Sequence, residues 1–332
     1  MAHKNRSLKL PALVKQRGPH TDQEPASAGD GMAQDDPSTQ SELWATRYSK
    51  PRSVRRYSNT LTADVNGKGV LDVDTVKGCS AGMEARPDGG CYNACYAATI
   101  AKFRGIDFAT SVVRVVHSAS HAKRIEKAVR AAPHGFFRVG TMGDPSLAWA
   151  HTVRIIEWLA TLAVPVIVTK HWRALDDGDI CRLVECGAVL NTSISALDTP
   201  AELAHRRRQI ARYSAFRGVS IARIVSCDFN DATPEGARMA AVQSRLFADY
   251  GDDVIDNPLR VPRTHKLVKS GTIRVRVEKD LESFRTISIA HDDAYVGHCD
   301  SCADKCGLRS CPPEHPMPPE PQLRLFSIED NR

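Results

Sequence analysis

Hydrophobic and polar positions divide the chain into three regimes. Residues 1–47 are rich in Ser, Asp, Gln, Pro and Gly and show no hydrophobic period, which predicts a disordered arm with one short apolar patch at Leu8, Leu10, Leu13 and Val14. From 48 to 262 the pattern is regular. Stretches 58–65 and 70–76 read as extended and are joined by an Asn66-Gly67 turn. Residues 94–103 read as a helix. In 108–132, Val112, Val115, Val116 and Ala119 recur at helical spacing, predicting one long helical region.

After Pro133 short apolar runs alternate with amphipathic ones. Strands are expected at 136–140, 164–168, 188–194 and 219–227, with a sixth beginning at Val254-Ile255. Helices are expected at 151–162, 174–186, 200–216 and 234–250, stopping at Gly187, Gly218 and Gly251 where a left-handed residue is wanted. A strand–helix repeat of this kind predicts parallel βα units in an α/β fold. Closed on one side by right-handed crossovers, they would form a partial (β/α)6 TIM-like barrel; a doubly wound open sheet is the competing arrangement. Residues 263–332 form the third regime, a C-terminal extension with a half-wet strand at 271–277, a cysteine-rich knot at 299–311 and a proline-rich stretch at 312–321.

Composition narrows the classes. Hydrophobic content of 42% and charged content of 25% suit a globular chain, and no window is long and apolar enough for a membrane span. No apolar run follows the basic N-terminus, so a cytoplasmic location with reduced thiols is expected. The net charge is +6; residues 1–56 hold ten Lys/Arg and six Asp/Glu, so much of the excess lies in the arm. A basic arm suits loose contact with nucleic acid and equally suits a solvated tail.

Ten cysteines in such a compartment speak for metal rather than disulfides. Cys79, Cys91 and Cys95 follow the strand expected at 70–76, and Cys299, Cys302, Cys306 and Cys311 crowd into the C-terminal knot. Three thiolates on a loop after a strand can hold an iron–sulfur cluster or a zinc ion, and leave one metal position open. Four thiols in the knot suit structural zinc or a second 4Fe–4S cluster, with His298 able to replace one; alternatively a C-terminal cysteine folds over to complete the first site. Cys181, Cys186 and Cys227 are scattered and read as small buried apolar residues. If the barrel reading holds, the carboxyl ends of the strands gather Gly143-Asp144, Lys170-His171, Ser193 and Ser195 at one mouth with the cysteine loop.

Gly78-Cys79 after a strand, followed by Cys91-x3-Cys95-Tyr96-Ala97, resembles radical SAM enzymes and the radical-SAM-like proteins of phages and mobile elements. The resemblance implies a partial (β/α)6 barrel over 48–262. It also implies a 4Fe–4S cluster on Cys79, Cys91 and Cys95, with S-adenosyl-L-methionine bound at the open iron and cleaved by one electron. That electron would come from a flavodoxin or ferredoxin-like donor, and the substrate would be a nucleotide, a nucleic acid or a protein. Gly143 and Asp144 occupy the place of the family's glycine-rich turn against the methionine group, Ser193 and Ser195 would contact the cofactor, and Lys170 and Asp144 would serve catalysis. The spacing departs from the family's usual C-x3-C-x2-C, since Ala98 stands at the third cysteine's position. The rival from another class is a non-catalytic, zinc-stabilised nucleic-acid-binding protein.

Overall fold

The computed structural model describes residues 54–251, 253–277 and 286–292, with positions 294, 296, 302 and 305–310, all within the compact unit Arg52–Arg332. In chain order come strands β1 (Asp64–Val65), β2 (Leu71–Asp72) and β3 (Val76–Lys77), helix α1 (Ser80–Ala85), a 3-10 turn (Cys91–Asn93), α2 (Tyr96–Phe103), β4 (Val112–Val113) and α3 (Ala119–Arg130). Then follow β5 (Phe136–Val139), a 3-10 turn (Pro145–Ala148), α4 (Trp149–Leu159), β6 (Val164–Thr169), α5 (Asp177–Glu185), β7 (Val189–Ile194), α6 (Pro200–Ala215), β8 (Val219–Ile224), β9 (Asp228–Phe229) and α7 (Pro234–Tyr250). The last part holds β10 (Val254–Asp256), β11 (Leu259–Val261), α8 (Lys266–Lys269), β12 (Ile273–Arg274), β13 (Arg276–Val277), β14 (Thr286–Ser288) and a 3-10 segment, Lys305–Ser310.

The main sheet has seven strands in the order β1-β2-β5-β6-β7-β8-β10, parallel except for the β1–β2 pair. Spatial order follows chain order. Each crossover helix packs on the same face: Phe137 and Val139 meet Ile125 of α3 and Ile155 of α4. Ile167 and Leu190 meet Trp149, Ile180 and Tyr213, and Ile194 and Ile224 meet Ile210 and Leu246. The alternate strand residues, Phe136, Val166, Val189, Ile221 and Ile255, form a separate cluster that includes Cys306 and no crossover helix. The period of two along each strand therefore separates a helix-covered face from a second face.

Local chemistry sets the helix ends. Thr199 opens α6 with a capping box, its hydroxyl accepting from Glu202 N while the Glu202 carboxylate accepts from Thr199 N at 2.8 Å. Ser118, Asp176 and Thr233 cap α3, α5 and α7 by the one-way bond alone, each side chain accepting from the N–H three residues on. Cap replacement costs about 1 kcal/mol at such positions.

Several expectations are corrected. Residues 108–132 are not one helix: Val112–Val113 pairs antiparallel with Val76–Lys77, and the helix begins only after Ser118. The β-branched pairs that looked helical by spacing are stiff at χ1 and fit an extended strand better. The 70–76 run splits because Val76–Lys77 leaves the main sheet for β4. The 271–277 run also splits, Ile273–Arg274 pairing with Asp228–Phe229 and Arg276–Val277 with Thr286–Ser288. The 174–186 helix is shorter, capped by Asp176, and the 219–227 strand ends at Ile224. Strand β11 pairs with β14, so sheet hydrogen bonds cross the boundary expected at 262. Among the described residues no helix is long and apolar enough to cross a membrane.

Candidate metal centre

The cysteine loop is pinned to the sheet by backbone contact that admits no side chain. Gly78 has φ +79°, and a Cβ there would stand 2.2 Å from Thr110 O. Gly78 bridges to Gly143, whose own Cβ would stand 2.5 Å from Val76 O. The two glycines let the loop lie directly on the turn that follows β5. Past Gly78, Cys79 caps α1, its Sγ accepting from Gly82 N at 3.3 Å. Cys91 opens a 3-10 turn, and Cys95 precedes α2.

Between those two cysteines the backbone is strained. Tyr92 (φ 59°) and Asn93 (φ 56°) are both left-handed, a conformation that costs a bulky side chain roughly 1–3 kcal/mol. Tyr92 is held there at both ends: its hydroxyl accepts from Lys170 Nζ, and its carbonyl pairs with His265 Nε2 at 2.9 Å. The left-handed step turns the chain sharply between Cys91 and Cys95.

The three cysteines come from three separate elements, and two of their sulfurs share one space. A Cβ on Gly82 would stand 2.9 Å from Cys79 Sγ and 3.7 Å from Cys91 Sγ, so those sulfurs share one small space that glycine leaves open. A Cβ on Gly90 would stand 3.0 Å from Cys95 Cβ. Burial pushes the Cys79 thiol well up, with Asp144, Cys91 and Cys95 adding to it. Burial pushes Cys91 up to about 12, and Cys95 adds to that while Lys170 pulls it back. Free of metal, these groups are neutral thiols, and a metal must displace their protons to bind.

Among the described residues no three His, Cys, Asp or Glu side chains gather closely enough to hold a single metal ion. A cluster makes a looser demand, since each cysteine takes a different iron.

Buried charges flank the thiols on the Cys91 side. The Lys170 ammonium lies 4.1 Å from the Tyr92 ring centroid and 3.6 Å from Asp198 Oδ1. Arg206, 2% exposed, pairs with the same Asp198 oxygen at 2.6 Å and stacks 5.2 Å from the Trp172 ring centroid. Glu202 links Arg206 to Arg86, at 3.8 and 2.9 Å. Burial pushes the Lys170 amine down and Arg206 does the same, against Asp198, which holds it up. This leaves a cationic wall beside Cys91 that favours an anionic occupant.

The other expected site residues have different surroundings. Asp144 is buried with both oxygens engaged: Oδ1 accepts from Ser146 N (2.9 Å) and Thr169 Oγ1 (2.7 Å), and Oδ2 from Lys170 N (2.7 Å). It ties the ends of β5 and β6 together and sets the backbone of Lys170. Gly143 is taken up by its contact with the cysteine loop. Ser193 lies on β7 with its residue 8% exposed, whereas Ser195 is fully buried, donating to Val225 O at 2.7 Å and accepting from Leu197 N at 3.2 Å. Ser195 thus braces its own loop.

Cys299 and Cys311 lie outside the described residues. Cys302 is half-buried, and Cys306 is buried against Val70, Phe136 and Val189 near the amino ends of the strands, the end opposite to the Cys79 loop. The expectation that a C-terminal cysteine folds over to complete the first site therefore fails for Cys306. Cys227 is buried as expected, but Cys181 is exposed.

Sequence reading missed Tyr92, Asp198, Arg206 and Trp172. On α6, Arg206, Arg207 and Arg212 each have an acidic partner: Asp198, Asp249 and Asp177 respectively. Asp198 stands just before the helix start that Thr199 caps, and its carboxylate serves the buried charges instead. Comparison with protein-family models, curated proteins and solved structures finds no match to this chain.

Proposed function

We propose that the protein is an iron–sulfur enzyme of the radical SAM type, with Cys79, Cys91 and Cys95 holding a 4Fe–4S cluster whose remaining iron takes S-adenosyl-L-methionine. The observation that carries this reading is the space at Gly82 shared by the Cys79 and Cys91 sulfurs, with the Cys95 Cβ close by at Gly90, at the carboxyl ends of a sequentially ordered parallel sheet. A sheet whose spatial order equals its chain order, with its crossover helices on one face, is wound as a barrel is, and we read it as a partial (β/α)6 barrel. Reactive groups then gather at the carboxyl-end mouth.

A cluster held by Cys79, Cys91 and Cys95, with a ferredoxin- or flavodoxin-like donor, would supply one-electron reduction of S-adenosylmethionine and, through it, hydrogen-atom abstraction from a substrate. The chain's own residues have separable tasks in this reading. Lys170 and Arg206 balance the negative charge of the thiolates, Asp144 positions Lys170, Trp172 shields Cys79 from water, and Ser193 is left to meet the cofactor. The C-terminal cysteines would hold a second cluster or zinc.

Anaerobic preparation tests the reading. The expected protein is brown, absorbs broadly near ~400 nm and carries about four to eight irons. Cys91→Ala should lose the iron of the first site, and 5′-deoxyadenosine should appear with reductant and S-adenosylmethionine in the wild type alone. A colourless protein with stoichiometric zinc, or full iron in Cys91→Ala, refutes the assignment.

A further inference from the structure

Two cations beside the cysteine loop make no contact ion pair among the described residues, although Asp74 and Asp64 lie near enough to act on both. Lys77 on β3 lies opposite Val112 of β4, and Arg114 follows with its N–H donating to Thr75 O at 2.9 Å. The alternation of the paired strands puts both side chains on one face. Arg114 is 4% exposed, yet its guanidinium meets only the Thr62 hydroxyl, at 3.2 and 3.3 Å, and its Nε has no partner. Lys77 is half-buried, its ammonium 6.0 Å from the Tyr57 ring centroid, and the buried Tyr57 hydroxyl is also without a partner.

The nearby carboxylates are otherwise engaged or exposed. Asp72 pairs with Arg138 at 3.0 Å. Asp74 accepts from three successive N–H groups, Gly140, Thr141 and Met142, at 3.1, 2.7 and 3.1 Å. Asp64 is exposed and makes no ion pair among the described residues. A buried guanidinium with one hydroxyl for company is costly, and the cost falls when an anion enters.

We propose that Lys77 and Arg114 form a binding site for the phosphate monoester of a small-molecule substrate. Two positive charges match a dianion, and the guanidinium fork matches adjacent phosphate oxygens. A nucleic-acid phosphodiester carries one charge and is flanked by chain on both sides, which fits the nine-tenths-buried Arg114 poorly. Lys77 lies two residues before Cys79, so the phosphate would sit beside the proposed cluster. As a substrate site this rests on the enzyme reading above; as an anion site it stands without it.

The test is titration of the full chain with inorganic phosphate, read by phosphorus NMR line broadening and by thermal unfolding. Saturable broadening and a raised Tm are expected, with affinity at least tenfold weaker in Lys77→Met and in Arg114→Lys, which keeps charge but loses the fork. Lys77 is half-buried, so its variant carries the test if the Arg114 variant fails to fold. Saturable phosphate binding in Cys91→Ala, whatever happens to its iron, supports the anion site independently of the cluster. Iron-replete protein without saturable phosphate binding, or binding unchanged in Lys77→Met, overturns it. So does an oligonucleotide lacking terminal phosphate that binds as tightly as a mononucleotide and needs Lys77.

Discussion

The two ends of the parallel strands are built on opposite terms. At the carboxyl ends stand three thiols, a left-handed Tyr92-Asn93 step and a buried chain of charges from Arg86 to Lys170. At the amino ends, on the face away from the crossover helices, Phe136, Val166, Val189 and Ile221 pack around Cys306. One polar contact breaks that apolar cluster, Asn191 Nδ2 to Cys306 O at 2.8 Å. Linked buried charges and the paired left-handed step are concentrated where chemistry is proposed; the other end is packed mainly by apolar side chains and has a left-handed residue of its own, Cys306 (φ 58°). A single scaffold thus carries a region rich in strain and buried charge beside one with less of both.

The sharpest way to break this comparison is to remove a buried charge. Arg206→Met takes from Asp198 its closest cation and leaves it Lys170 at 3.6 Å and the Ser195 N–H at 2.9 Å, in a setting almost closed to water. The expected loss is about 3–5 kcal/mol in urea unfolding, because the carboxylate stays desolvated without its tightest ion pair. Iron content should fall as well, since one of the two cations that pull the Cys91 thiol down is gone. A loss under about 1 kcal/mol, as at an exposed ion pair, would mean the charges at this end are solvated after all.

At the amino ends the expected effect is on stability alone. Ile221 is 2% exposed, and a Cβ on Gly307 would stand 2.5 Å from its Cγ1, so the contact is tight. Ile221→Ala should cost about 2–5 kcal/mol through lost burial and a cavity. Iron measured in the folded fraction should match wild type. If iron disappears as it does in Cys91→Ala, the two ends are coupled and the division drawn here is wrong.

Why these regions differed in legibility is physical. The βα repeat was readable because apolar runs, caps and glycine stops lie within a few residues of one another, as at Thr199, Glu202 and Gly187. Cys79, Cys91 and Cys95 were readable as a group because thiols are few and their spacing is local. Arg206 and Asp198 were not, because a charged residue carries no local sign of the partner that buries it. Val112–Val113 was misread because its strand exists only through pairing with Val76–Lys77, more than thirty residues earlier. Asp144 was legible as a carboxylate at a strand end, but only coordinates give its partners, Ser146, Thr169 and Lys170.

The smallest expected effect concerns pH, and it separates burial from charge at the carboxyl end. His171 follows Lys170, is 1% exposed, has φ +48° and meets Thr192 Oγ1 at 3.2 Å through Nε2, while Nδ1 has no partner. Burial pushes its imidazole down to about 3, with His205 and Arg206 adding to the shift. Unfolded, the same group titrates near 6.5, so between those values the unfolded chain binds the extra proton. The stabilisation is therefore fully present above pH 6.5 and is lost as pH falls towards 3. At 1.36 kcal/mol per unit, moving from pH 7.5 to 5.0 removes about 2 kcal/mol through this residue. His171→Asn keeps a residue that tolerates the left-handed backbone and removes the titration. Urea unfolding at the two pH values should show a pH-induced loss smaller by about that amount in the variant. His151, His205 and His265, also pushed down by burial, remain in both proteins and contribute with the same sign. An unchanged pH slope would mean that water reaches the imidazole, and with it the Lys170 strand end that the proposed chemistry requires to be dry.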